Sequence, residues 1–304
     1  MDSALEDTIE FFGTTTFRLK LKGLTLFLDS WLERLTMHKK YLAIDEVTEA
    51  DYIFISHAHF DHLPGADRLA LRTGARIVGN PETIRIMRDA EVSEEQLIPV
   101  AGGERLPLFP KDVWIQTSEG TCPLQPSFPG APPQPHHSMA TMAVDIWPSL
   151  HRLAAADHPD VMDTGMVRGP SENPYRSTLD ITFGMKHFLL RIDEVLPPQA
   201  MDDGLKSFME FVRDPKNKFS HCDGGQLMYN LRFDNKAVLW SAYLGAYEGI
   251  MRTMKPKPDI AILGAAGEVN YDGRPFEGSA AQFLRMECEW LSYPDRIPYQ
   301  ALPN

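Results

Sequence analysis

The chain has 304 residues, of which 43% are hydrophobic, and a formal net charge of −12. This length fits one large domain or two of ordinary size, and the apolar content is sufficient for a substantial core. The acidic balance argues against a nucleic-acid backbone or an anionic membrane as the main partner, because both require basic patches. It does not exclude a small anionic substrate, since a bound metal ion can outweigh the global charge locally.

Three widely separated cysteines, Cys122, Cys222 and Cys288, indicate neither a disulfide framework nor a cysteine-type zinc module. We therefore expect a reducing, cytoplasmic compartment. Residues 1–10 lack the apolar segment of a signal peptide, and no apolar run approaches the roughly 20 residues that span a bilayer. The sequence predicts a globular protein with a small-molecule substrate and no membrane span, and it leaves the oligomeric state open.

The first part of the chain is predicted to alternate between strands and helices. Three strands form a predicted β-meander at residues 8–12, 16–21 and 24–28. Further strands are predicted at residues 51–55, 76–79 and 111–116. Helices are predicted at residues 63–72 and 81–89, followed by a helix-to-strand step over 94–100.

Two irregular stretches interrupt the second part, a proline-rich loop over about 118–137 and an insertion over about 152–224. Within the insertion we predict a strand-like patch at 179–183 and a helix at 204–212. The other strands are predicted at residues 140–147, 225–233, 236–243 and 259–263, and the other helices at residues 244–254 and 279–291. No repeat of fixed period is present, and we predict a single domain over 1–304.

Three histidines and an aspartate lie within six residues directly after the predicted strand 51–55. They are His57, His59, Asp61 and His62. Neutral imidazole and carboxylate are the usual ligands of Zn²⁺ and of neighbouring transition metals. The segment joins a buried strand to a helix, so its loop is held rigid at both ends, as is typical of functional sites. The spacing therefore predicts a metal site.

Three other positions bear on this site. His151 is a further candidate ligand, because it lies just past the strand 140–147 and an incomplete ligand set precedes it. The pair His136 and His137 is interpreted as a surface pair, because adjacent side chains rarely point at one site. Asp29, at the end of the third strand, either caps the next segment or orients a metal-bound histidine, and the sequence slightly favours the cap or turn role.

The motif at 57–62 resembles the signature of the metallo-β-lactamase superfamily. The segments 11–15 and 26–32 resemble the opening hairpin of the branch typified by ascorbate-6-phosphate lactonase, to which the phospholipase D-like hydrolases of N-acyl phosphatidylethanolamines are related. The resemblance implies an α/β fold, a four-layer αββα sandwich with the metal site along one edge between its two sheets. It leaves the substrate open, because the superfamily hydrolyses lactones, lactams, phosphodiesters and thioesters and also includes redox enzymes.

The resemblance also implies a ligand set. His57, His59 and His151 are the ligands that it implies for a first metal. Asp61 and His62 would begin a second site. Three imidazoles and one open position are the pattern of catalytic zinc, whereas two protein ligands provide only half of a tetrahedral shell. We therefore expect one tightly held Zn²⁺, with Mn²⁺ or Fe²⁺ as alternatives, and a weak or absent second ion.

Two positions depart from the family pattern. The bridging aspartate expected at the end of the strand 236–243 is replaced by Tyr243, and the last expected histidine is absent from residues 296–304. His158, His187 or His221 could supply a substitute ligand, although surface or loop positions are favoured for all three. Tyr243 could instead donate a hydrogen bond to a substrate oxyanion or, less favourably, bind a metal as phenolate.

The favoured function is a metal-dependent hydrolase of an organic ester, lactone or phosphodiester. In this hypothesis Asp61 is a general base, and His62 is a second-metal ligand or a proton donor. The two irregular stretches would form the substrate pocket, and their apolar side chains suggest an uncharged ester or lactone. Two alternatives stay open, a mono-iron oxidoreductase and a non-catalytic descendant that binds a metal or ligand. Three histidines favour zinc over iron.

Overall fold

The computed structural model describes residues 7–153 and 178–292. The first sheet has six strands in sequential order, namely β1 (Thr8–Phe11), β2 (Phe17–Leu21), β3 (Leu24–Leu28), β4 (Tyr52–Phe54), β5 (Arg76–Gly79) and β6 (Leu97–Pro99). The pairs β1–β2 and β2–β3 are antiparallel, as the predicted meander requires. The pairs β3–β4, β4–β5 and β5–β6 are parallel, since helices connect β4 to β5 and β5 to β6.

The remaining strands are β7 (Arg105–Leu108), β8 (Met142–Pro148), β9 (Leu227–Phe233), β10 (Lys236–Ser241), β11 (Gly245–Ala246), β12 (Ile260–Leu263), β13 (Asn270–Tyr271) and β14 (Arg274–Pro275). The second sheet has the order β12-β10-β9-β8-β7, and β11, β13 and β14 form a small third sheet. The predicted hairpin β9–β10 is confirmed, with Asp234 at φ +52° in its turn.

The α-helices are α1 (Ala66–Thr73), α2 (Pro81–Asp89), α3 (Lys111–Glu119), α4 (Thr178–His187), α5 (Ile192–Val195), α6 (Asp203–Arg213), α7 (Glu248–Thr253) and α8 (Ala280–Ser292). Short 3-10 helices lie at Ile44–Glu46, Glu94–Gln96, His137–Met139, Leu189–Arg191 and Pro198–Ala200. At the start of α2, the side chain of Asn80 accepts a hydrogen bond from the backbone N–H of Thr83. Among the described helices, none has the length and apolar character needed to cross a membrane.

The two large sheets pack face to face between layers of helices. On β4, Tyr52 and Phe54 point into the core between the sheets, where they join Tyr229 and Trp240. Ile53 points the other way and packs in the cluster that includes residues of α1 and α2. Residues of α7 and α8 pack against the outer face of the second sheet. The fold is therefore the α/β, αββα sandwich that the resemblance implied.

Two predicted strands are wrong. Residues 111–116 belong to α3, whose buried side chains Val113 and Thr117 are four residues apart, a helical spacing that the β-branched residues of this stretch obscured. The patch at 179–183 belongs to α4. It was predicted as a strand from Ile181, Thr182 and Phe183, and strand propensity of this kind is weak against tertiary context.

The described parts of the two irregular stretches differ in structure. Residues 121–136 contain no helix and no strand. The one β-bridge that they form in the described structure joins Leu124 and Pro135. The helices α5 and α6 pack on Trp31 and Leu35, and Phe208 of α6 contacts Phe60 with ring centroids 5.1 Å apart. Phe60 lies inside the histidine motif, so α6 supports the loop that carries the motif. The part of the predicted insertion at residues 154–177 lies outside the described residues.

Candidate metal centre

The candidate ligands come from strand ends of both large sheets. His57, His59, Asp61 and His62 lie between β4 and α1, and the loop turns sharply because the carbonyl of His59 accepts the backbone N–H groups of His62 and Leu63. His151 follows β8, and Tyr243 follows β10. The edge where these strands end therefore brings together residues that are distant in sequence.

His57, His59 and His151 form a compact cluster. All three are buried, with ring centroids 4.6 to 5.0 Å apart. Their ligand atoms lie within 4.8 Å of one another. Within the described residues, the Nε2 atom of each ring is buried and has no hydrogen-bond partner. Three unpaired polar atoms at one point are costly unless a ligand satisfies them, so this donor set fits a metal ion.

The other ring nitrogens of these histidines are held by protein groups. The Nδ1 atom of His57 lies 3.0 Å from the hydroxyl of Ser56. The Nδ1 atom of His151 donates to the carbonyl of Arg152 at 2.9 Å, and His59 hydrogen-bonds the backbone of His221. Such contacts fix the tautomer and orientation of a ligating ring. They leave Nε2 as the free donor atom in each case.

Burial keeps these three imidazoles neutral. It lowers the pKa of His59 to about 4 and the pKa values of His57 and His151 well below their ordinary range. Neighbouring histidines lower the pKa values of His57 and His151 further. A metal ion needs neutral imidazole, so the cluster is in the protonation state that metal binding requires.

His62 belongs to a second group of polar side chains. Its Nδ1 atom lies 2.5 Å from Oδ2 of Asp29. Asp29 also accepts hydrogen bonds from the hydroxyl of Thr15 at 2.7 Å and from the backbone N–H of Ser56 at 2.9 Å. Burial disfavours the charged form of His62, but Asp61 and Asp29 outweigh it and raise its pKa to about 10. The side chain of Asp29 orients a histidine of the motif and does not cap the next segment. Its backbone, at φ +51°, has the conformation of a turn residue, so of the cap or turn role favoured by the sequence only the cap is wrong.

Tyr243 occupies the place of the missing bridging aspartate. Its oxygen lies 3.0 Å from Nε2 of His62 and donates to Oδ2 of Asp61 at 3.2 Å. Burial and the carboxylate of Asp61 raise the pKa of Tyr243 well above its ordinary range, so the group is a neutral phenol. Although burial opposes it, the charge of His62 lowers the pKa of Asp61. Donor atoms of His57, Asp61 and His62 also lie within 4.8 Å of one another.

The side chains of the other described histidines considered from the sequence lie outside the two donor groups. His136 accepts the backbone N–H of Ser138 at the start of a 3-10 helix, and His137 is exposed. The side chains of His187 and His221 are exposed, and His158 lies outside the described residues. Over 7–153 and 178–292, none of these residues joins either group of possible metal donors.

Sequence reasoning missed several residues that support the site. Thr15 and Ser56 bind Asp29, while the side chain of Asn270 donates to the backbone carbonyl of His151 at 2.7 Å. Arg152 lies in the cavity beside Asp61 and Tyr243. The two positions next to motif residues, Ser56 and Arg152, could have been suspected from adjacency. No sequence pattern links Asn270 to His151, because only the fold brings them together.

The model of the metallo-beta-lactamase superfamily matches residues 30–204 of this chain, which is more than half of its length. The chain therefore belongs to the metallo-beta-lactamase superfamily. A metal-dependent hydrolase from Christiangramia forsetii is 36% identical over 74 residues, 24% of this chain and 32% of that protein. One from Staphylothermus marinus is 38% identical over 76 residues, 23% of this chain and 33% of that protein. The alignment thus spans about a third of each relative.

Among solved structures, the chain is similar to Igni18, a metallo hydrolase from Ignicoccus hospitalis, with a TM-score of 0.48 and 15% identity. The similarity covers 94% of this chain and 78% of that one. The narrower resemblance to the ascorbate-6-phosphate lactonase branch stays a prediction.

Proposed function

We propose that this protein is a metal-dependent hydrolase that works with one ion, held by His57, His59 and His151. The observation that carries the proposal is the convergence of three buried, unpaired Nε2 atoms within 4.8 Å of one another. Three neutral imidazoles with an open position match the donor set of catalytic zinc. Zn²⁺ is favoured over Fe²⁺ because no carboxylate belongs to this group of three.

The second site of the family is unfavourable in this chain. Asp61 and His62 lie beside the hydroxyl of Tyr243, and each makes a hydrogen bond with it. A cation bound there would have to displace this hydroxyl and would gain only two or three protein donors. These contacts support one ion per chain.

The chemistry of a bound divalent cation is to acidify a water molecule and to polarise a carbonyl or phosphoryl oxygen. Asp61 takes the proton of the attacking water, because its carboxylate is ionised, lines the cavity and lies within 4.8 Å of a donor atom of His57. It then returns this proton to the leaving oxygen as the scissile bond breaks. Tyr243 stays protonated, and once Asp61 has taken up the proton, the hydroxyl donates to the oxygen that gains negative charge instead of to Asp61. His62, held by Asp29, keeps Tyr243 and Asp61 in position.

The substitution His57→Ala tests this function. We expect purified wild-type protein to hold about one zinc per chain and the variant to lose most of it, since two imidazoles bind zinc weakly. Hydrolysis of a panel of esters, lactones and phosphodiesters should fall at least about 100-fold. Metal is measured by elemental analysis, which also separates zinc from the iron of a redox enzyme.

The matched control is His137→Ala, which removes an exposed imidazole that belongs to neither group of possible metal donors. This control should keep both the metal and the activity. Full hydrolytic activity in His57→Ala would refute the proposed function. Metal bound at one ion per chain with no turnover of any class would favour a non-catalytic descendant instead.

A further inference from the structure

A cavity of about 730 Å³ opens beside Asp61 and Tyr243. Its wall is formed by the β1–β2 turn, the end of β10 and the loop after β12, with Phe11 and Trp240 among its apolar members. The proline-rich loop predicted to form the pocket contributes no residue to this cavity. Among the described residues, the charged side chains that line it are Asp61 and Arg152.

The backbone around Arg152 is held on both sides. The carbonyl of His151 accepts a hydrogen bond from the side chain of Asn270 at 2.7 Å. The backbone N–H of Leu153 donates to the carbonyl of Glu268 at 3.1 Å. Arg152 therefore lies between two anchored residues, and its position relative to the metal ligand His151 is fixed.

Gly267 holds the stem of the Arg152 side chain. A Cβ atom at residue 267 would lie 2.1 Å from Cδ of Arg152, and the backbone there has φ +103°. The arginine stem therefore lies directly on the glycine backbone, where no other residue leaves room. This packing directs a half-buried guanidinium to the wall of the cavity.

The guanidinium of Arg152 has unused hydrogen-bonding capacity. Among residues 7–153 and 178–292, no carboxylate lies within 4.0 Å of it, and its one hydrogen bond is a long contact of 3.4 Å to the carbonyl of Leu153. Asp61, the other charged residue of the wall, is engaged with Tyr243 and His62. A half-buried guanidinium with free donors is suited to a planar oxyanion, which it can bind through two parallel hydrogen bonds.

We propose that Arg152 binds an anionic group of the substrate, so that the enzyme prefers small esters or lactones that carry a carboxylate or phosphate. This inference rests on the proposed function and narrows its substrate class. It differs from the uncharged substrate expected from the sequence, because the described apolar residues of the two irregular stretches do not line this cavity. The wall of the cavity carries a positive charge at Arg152 even though the whole chain is strongly acidic.

Two esters that differ by one carboxylate test the proposal on the zinc-loaded protein. They are 4-nitrophenyl acetate, which is neutral, and 4-nitrophenyl hemisuccinate, which is anionic. We expect wild-type kcat/KM to favour the hemisuccinate. In Arg152→Gln the ratio of the two kcat/KM values should fall by roughly 10- to 100-fold, because this factor corresponds to the free energy of a hydrogen bond between charged groups. Arg152→Lys should keep part of it, since it retains the charge but not the planar fork.

Arg285→Gln is the matched control, because Arg285 is exposed on α8 and its ion-pair partner among the described residues is Glu289. It should keep the wild-type preference. Gly267→Ala should reproduce the loss seen in Arg152→Gln, because the added methyl group displaces the arginine stem. Equal hydrolysis of the two esters by wild-type protein, or equal losses for both in Arg152→Gln, would overturn the inference and leave the hydrolase intact.

Calorimetric titration of succinate into the same zinc-loaded proteins separates the two proposals. If neither ester is hydrolysed but succinate binds to wild type and not to Arg152→Gln, the anion site is supported and the hydrolase is not. If succinate binds equally to both proteins, it binds elsewhere, and the inference about Arg152 is refuted.

Discussion

The hydroxyl of Tyr243 lies between two side chains that the superfamily pattern assigns to a second metal. It contacts Nε2 of His62 at 3.0 Å and Oδ2 of Asp61 at 3.2 Å. The charge of His62 is paired with Asp29 and Asp61, and Asp61 also accepts the hydroxyl of Tyr243, so these polar groups have partners without a cation. The hydroxyl of Tyr243 therefore links His62 to Asp61 directly.

This arrangement predicts that Tyr243→Asp raises the metal content. The carboxylate adds a third donor beside Asp61 and His62, and removal of the ring leaves room for an ion. We expect elemental analysis to give about one zinc per chain in wild type and a value approaching two in the variant, in buffer with excess zinc.

Tyr243→Phe is the control for the loss of the hydroxyl alone. It removes the hydrogen bonds but adds no donor, so its zinc content should stay near that of wild type. Two ions in the wild-type protein, or no increase in Tyr243→Asp, would contradict the assignment of Tyr243.

Among the elements, α8 carries a buried carboxylate outside the metal centre. Glu287 is 1% exposed, and neither of its oxygens has a hydrogen-bond partner in the described residues. Burial raises its pKa to about 8 from an ordinary value of 4.5. Between these two values the folded state binds more protons than the unfolded state, so stability falls as the pH rises through this window.

We therefore predict that Glu287→Gln gains stability relative to wild type as the pH increases from 5 to 8. A neutral amide avoids the cost of ionising the buried group, a cost of up to about 1.4 kcal/mol for each pH unit. The free energy of unfolding is measured by urea denaturation at several pH values. Glu289→Gln lies on the same helix and is half exposed, so its free energy of unfolding should change with pH as that of wild type does. A constant difference between Glu287→Gln and wild type would contradict the prediction.

The elements also indicate where sequence patterns lose information. The hairpin β9–β10 could be predicted because its alternation and its turn are local. The helix α3 could not be predicted, because Val113 and Ile115 favour a strand locally. The helical spacing of its buried positions, Val113 and Thr117, is visible only in the folded core. Strand propensity and helical periodicity disagree in this stretch, and packing against the core selects the helix.

At the scale of the whole molecule, the features of the site that could be predicted are those formed by residues close together in the sequence. The donors His57, His59, Asp61 and His62 fall in one loop, so their spacing alone predicted a metal site. His62 and Tyr243 are 181 residues apart, and their hydrogen bond depends on the meeting of two sheets. The family pattern predicted the position of Tyr243 but not its contacts, and Arg152 carried no pattern at all.

The proposed metal site joins the two halves of the sandwich. His57 and His59 follow β4 of the first sheet, whereas His151 follows β8 of the second. An ion held by all three therefore binds only where both sheets are packed together, and such binding adds RT ln(1 + [L]/Kd) to the folding free energy. Free zinc at about 100 times Kd would contribute about 2.7 kcal/mol.

We predict that zinc raises the Tm of chelator-stripped protein by roughly 3–5 °C, as expected for a chain of this size. Differential scanning calorimetry measures the shift. In His151→Ala the shift should nearly vanish, because the remaining pair belongs to one sheet only and no longer links the two. His187→Ala, which removes an exposed imidazole, should keep the full shift. If His151→Ala retained the full shift, the ion would be held by the first sheet alone. The metal would then have a catalytic role without a structural one.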